Sequence, residues 1–161
     1  MAIDPRLQER LRRFVSDEAA LIEQLRTFVG VALAPRLDGD PDSLATLDAF
    51  LNKLTEDPEW ARSPLFEEIA DDMETWLTLR IAYYLGLVLR RRFGCEWNLS
   101  EDSRSPVKGT PVMHISGVEL SPLEIAWARL NGEVSGGLKQ LLEDLEEHLL
   151  RTATSGDWNS H

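Results

Sequence analysis

Apolar side chains recur every three to four residues along most of this chain, and the interruptions fall at proline, glycine and clustered aspartate. Near the amino terminus they stand at Leu7, Leu11, Phe14, Val15, Leu21, Ile22, Leu25, Phe28 and Val29. That is one face of a 3.6-residue period, and it predicts a first helix from Arg6 to about Val29. Pro35 and the segment LDGDPDS supply turn and cap residues. A second helix is expected over about 41–54, with Leu44, Leu47, Phe50, Leu51 and Leu54 on its inner face. Ser63-Pro64 has the form of an N-cap followed by proline in the first helical position. From there Leu65, Ile69, Met73, Trp76 or Leu77, Arg80, Tyr84 and Val88 continue one stripe, which predicts a long central helix over about 64–93. At 1.5 Å per residue its length would be about 45 Å, more than a small domain spans, so a kink is expected near Asp71-Asp72. Arg90, Arg91 and Arg92 suit the negative end of the helix dipole, and Gly94 stands where a left-handed cap is wanted.

Past Cys95 the period changes to two. Residues 96–99, 112–115 and 118–120 alternate and read as short strands, and Ser116-Gly117 spaces the last two as a hairpin. The polar loop EDSRSPVKGT joins the first strand to that hairpin. Ser121-Pro122-Leu123-Glu124 combines a capping box with proline at the first helical position, so a helix is expected from Pro122 until Asn131-Gly132 stops it. Leu138, Leu141, Leu142, Leu145 and Leu149 then form a last amphipathic helix, with Glu143, Asp144, Glu146 and Glu147 opposite. The expected fold is α+β and mostly α-helical. About five helices surround the long central one, beside a small antiparallel sheet. Residues 1–151 form a single globular domain, and 152–161 a flexible tail.

The nine apolar residues 81–89 are flanked by Arg80 and by three arginines. A bilayer span needs roughly 20 apolar residues, so the run predicts a buried helix and no membrane insertion. With 28 acidic against 17 basic residues the formal charge is −11, which repels phosphate backbones and anionic lipid surfaces. Nucleic acid is therefore not an expected partner. One cysteine cannot form an internal disulfide, and MAIDPRLQERLRRF lacks the apolar core of a signal peptide, so a cytoplasmic location is expected.

Few residues offer chemistry. Glu67, Asp71 and Glu74 share a helical face with Glu68 and Asp72 beside them, without a histidine at ligand spacing, and read as a solvated acidic face. His114 can act as a base only beside a nucleophile, and neither Ser116 nor Ser121 is framed as one; His148 and His161 read as incidental. Cys95 follows a helix C-terminus, which does not stabilise a thiolate, and reads as a small half-buried hydrophobe. No phosphate loop, zinc quartet or dinucleotide fingerprint is present, so no catalytic residue, metal or cofactor is expected. The arginine triplet reads as a helix end among acids before it reads as an anion clamp. Arg80 falls on the buried stripe, where a charge must be paired or reach water, and a structural ion pair is expected.

The segments SLATLDAFL (43–51), AYYLGLVLRRRFGCEW (82–97) and VMHISGVELSPLEIAWARLNG (112–132) resemble a class of small uncharacterised bacterial domains, some of them similar to toxin-immunity proteins. The resemblance implies a helix-rich α+β fold and transfers no catalytic residue. Leu87 stands where such domains would carry a glutamate, so any role of that acid is absent. The expected function is a non-catalytic, acidic protein-binding module, an immunity or adaptor protein with a basic protein partner. The alternative is a small-molecule-binding protein or enzyme whose pocket, between the central helix and the sheet, is lined by Arg80, Tyr83, Tyr84, Trp97 and His114. The last helix is a candidate surface for self-association.

Overall fold

Residues 81–89 are all buried, so the helix that carries them has no solvent face over that length and is wrapped by other elements. The computed structural model describes residues 5–32, 37–62, 64, 66–67, 72–100, 110–133 and 136–159, with side chains described outside 30–32, 60–61 and 152–159. The order is α1 (Pro5–Ala32), α2 (Ser43–Glu56), the short α3 (Pro58–Ala61), α4 (Met73–Phe93), β1 (Trp97–Leu99), β2 (Pro111–Ile115), β3 (Val118–Leu120), α5 (Pro122–Leu130) and α6 (Gly137–Asn159). It is a mostly helical α+β fold, as the periodicity predicts. Expectations resting on Pro35, Ser63, Leu65, Glu68, Ile69, Asp71, Ser135, His161 and the loop 101–109 lie outside the described residues.

Two boundaries differ from the sequence expectation. The central helix begins at Met73 instead of 64, because Asp72 leaves the helical basin with φ −124° and ψ 28°. The Asp72 side chain makes no capping hydrogen bond, so its backbone conformation alone marks the entry. The last helix, whose apolar stripe ends at Leu149, carries helical backbone through Asn159. No proline interrupts the ladder there, so α6 simply continues. The other end of α4 is as predicted: Gly94 takes φ 72° and donates its N–H to Arg90 O at 2.8 Å.

Helices α1 and α5 pack along α4, while α2 packs against α6, α3 and α1. The sheet has the order β1-β2-β3, antiparallel throughout, and sits on α1 through β1 and on α5 through β2. Trp97 pairs with Met113 and Met113 with Leu120, which puts one face of the sheet into the core. The opposite face carries Asn98, His114 and Glu119 at exposed positions. Ser116 (φ 49°) and Gly117 (φ 82°) close the hairpin with positive φ at both turn residues, the twist that matches a right-handed ribbon. Ser121 accepts the Glu124 N–H at 3.2 Å, and Pro122 follows it. No helix of the described residues is long and apolar enough to cross a membrane.

Candidate functional site

Successive helical residues point about 100° apart, so three arginines in a row at the end of α4 reach three different neighbours. Arg90 Nη2 lies 2.7 Å from Glu18 Oε1 of α1. Arg91 Nη1 donates to Asp38 O at 2.7 Å, fastening the segment before α2. Arg92 Nε donates to Glu146 Oε1 of α6 at 2.6 Å. The triplet therefore ties α1, the 37–42 segment and α6 to the central helix, which is the structural role the sequence favoured for it.

The five residues proposed to line a pocket do not all share one set of neighbours. Tyr83 and Trp97 do come together, with Phe14 of α1: Phe14 stacks on Tyr83 with centroids 4.3 Å apart and meets Trp97 edge-on at 4.8 Å. The Tyr83 hydroxyl donates to Phe14 O at 2.6 Å, and the Trp97 indole donates to Glu18 Oε2 at 2.6 Å. Burial, with the nearby Asp17 and Glu18 charges, pushes the Tyr83 phenol well above its usual range. Trp97 lies so close to α4 that a methyl group on Gly86 would overlap its ring, so the helix–sheet junction is filled by the indole at this point. Tyr84 sits elsewhere and accepts the Gly39 N–H at 2.9 Å. Because the Ser43 hydroxyl donates to Asp40 O at 2.6 Å, the Tyr84 hydroxyl is the donor in its own contact with Ser43. Burial raises the Tyr84 pKa, against the lowering by the Gly39 N–H that its oxygen accepts.

Arg80 departs from expectation. Its Nε donates to Gln24 Oε1 at 2.9 Å, its Nη1 to Trp76 O at 3.1 Å, and its guanidinium stands 4.1 Å over the Trp76 ring. Among the described residues it has no ion pair. Half-buried at the surface, it is held by neutral acceptors and a π face. His114 is on the outward face of the sheet, its Nε2 3.3 Å from Glu119 Oε1. The other Glu119 oxygen accepts from the buried Ser100 hydroxyl at 3.1 Å. The carboxylate thus lies between histidine and serine, an order that orients both and gives the serine no base in imidazole form.

Among the described residues one carboxylate that no local pattern singles out holds several elements together. Asp48, in the interior of α2, accepts from Arg129 Nε at 3.0 Å and from the N–H groups of Leu138 at 2.8 Å and Lys139 at 3.0 Å. One carboxylate so caps α6 and pairs with a buried arginine of α5, and Asn52 takes Arg129 Nη2 at 2.8 Å. Gly137, with φ +87°, is required beside it, since a Cβ there would lie 2.8 Å from the Asp48 carboxylate. The available signal was an aspartate on the apolar side of a helix, together with a glycine pair before the next one.

Cys95 is half-buried with Sγ 3.7 Å from Met113 Sδ, and burial pushes its thiol pKa up. Among the described residues no group of three or more His, Cys, Asp or Glu is placed to hold a metal ion. A shallow surface depression runs along α1, lined by Pro5, Arg6, Glu9, Arg10 and Arg13. No family model, curated protein or solved structure matches the chain.

Proposed function

We propose that the protein is a non-catalytic, acidic protein-binding module of the immunity or adaptor kind, acting in the cytoplasm by covering a basic protein partner. The observation that carries this reading is the division of its charges. The best-buried ones, Glu18, Asp48 and Arg129, fasten helices to each other, while the carboxylates behind the net charge of −11 include Glu74, Glu124, Glu133, Glu143, Asp144 and Glu147 at exposed positions. A surplus of outward carboxylate steers a cationic partner in and rejects anionic ones. A small-molecule pocket at the helix–sheet junction draws less support, because Trp97 fills the space beside Gly86.

The test is complex formation between the purified chain and the basic proteins encoded beside its gene, by size-exclusion chromatography at low salt. A one-to-one complex that weakens as salt is raised is the expected result. Failure of every such protein to bind at low salt would overturn the reading.

A further inference from the structure

We infer that the partner docks on the outward face of α5, with an arginine of the partner stacked on Trp127 and paired with the carboxylates beside it. This rests on the proposed function and names the surface that performs it. Trp127 is 47% exposed, against 6% for Trp97. Glu124 stands three residues before it on α5, a spacing that makes the two side chains neighbours on the helix surface. Asn131, at the end of α5, donates Nδ2 to Trp127 O at 2.8 Å and to Glu74 Oε1 at 3.4 Å. That amide brings the exposed Glu74, in the first turn of α4, to the same edge, and Glu133 follows just beyond, also exposed.

The acidic faces of α6 and α1 differ from this one in having basic side chains against several of their carboxylates. On α6, Glu143 has Lys139 at 4.0 Å and Glu147 is paired with Arg151. On α1, Glu9 is claimed by Arg12 and Arg13. Glu124 and Glu133 have no ion pair among the described residues, and the polar partner of Glu74 is the neutral Asn131 amide. The face therefore presents open negative charge beside the negative face of an indole. A guanidinium satisfies both, since its plane stacks on the ring while its fork pairs with carboxylate. Tryptophan anchors of this kind dominate interface energies.

The test titrates the full, ¹⁵N-labelled chain with a ten-residue oligoarginine peptide at low salt and follows backbone amides and indole N–H signals. Saturable shifts of the Trp127 indole and of amides over 124–131 are expected, with W127A weakening the peptide about tenfold and E143Q/E147Q leaving it unchanged. Trp127 is exposed, so W127F, which keeps a ring, separates loss of the π face from any disturbance of α5. Shifts centred on α6 would overturn this surface and leave the basic-partner reading standing. An absence of shifts anywhere would overturn both. Trp127 shifts that follow protein concentration without peptide would make a second copy the occupant and overturn the inference.

Discussion

Arg90 Nη2 lies 2.7 Å from one oxygen of Glu18, and the other oxygen of that carboxylate accepts the Trp97 indole hydrogen at 2.6 Å. One buried side chain of α1 thus fixes both the end of α4 and the start of the sheet. Removing it leaves the indole N–H without its acceptor and takes from Arg90 the nearer of its two carboxylates. E18A is expected to lose about 2–3 kcal/mol of stability in urea unfolding, with a smaller loss for E18Q, which keeps an acceptor. Equal stability of E18A and wild type would contradict this role.

The Asp48 hub makes a local prediction as well as a global one. D48A leaves Arg129 buried without its partner, for an expected loss of about 3–5 kcal/mol. It also uncaps α6, so the Leu138 and Lys139 amides should exchange with solvent faster than the drop in global stability alone explains. Unchanged protection of those two amides would show that α6 is held by other contacts.

Trp97 and Gly86 set a packing limit at the helix–sheet junction. G86A should force the indole aside at a cost of about 1–3 kcal/mol and shift tryptophan fluorescence toward the solvated range. A variant with wild-type emission and stability would mean that the junction has slack.

Both tyrosines of the chain are raised above 10.0 by burial, Tyr83 with added push from Asp17 and Glu18. The folded state therefore holds these protons more tightly than the unfolded chain. Their contribution to stability is complete below pH 10.0 and is lost as pH climbs through the folded values. Phenolate absorbance is expected to stay absent up to about pH 10 and to appear above it only together with unfolding. Phenolate forming near pH 10 with the far-ultraviolet circular dichroism intact would refute the buried placement.

What could be read from sequence was whatever is encoded locally. The Ser121 cap, the Gly94 terminus, the Ser116-Gly117 hairpin and the apolar stripes each depend on residues a few positions apart, and each is found in place. The start of α4 was misplaced because the apolar stripe runs on past Asp72, whose backbone nevertheless leaves the helix. The long-range polar contacts were not legible. Glu18 and Trp97 are 79 residues apart and Asp48 and Arg129 are 81 apart, so no spacing rule pairs them. Arg80 is expected in an ion pair for the same reason: its place on the stripe shows that it needs partners, and only the fold shows that these are Gln24 and Trp76.

Outward carboxylates that steer a basic partner to this surface act on the association step, so the decisive measurement is the association rate between the chain and its basic partner as a function of ionic strength. A fall of about tenfold or more from low to physiological salt is expected, with the dissociation rate changing little. An association rate independent of salt would contradict it.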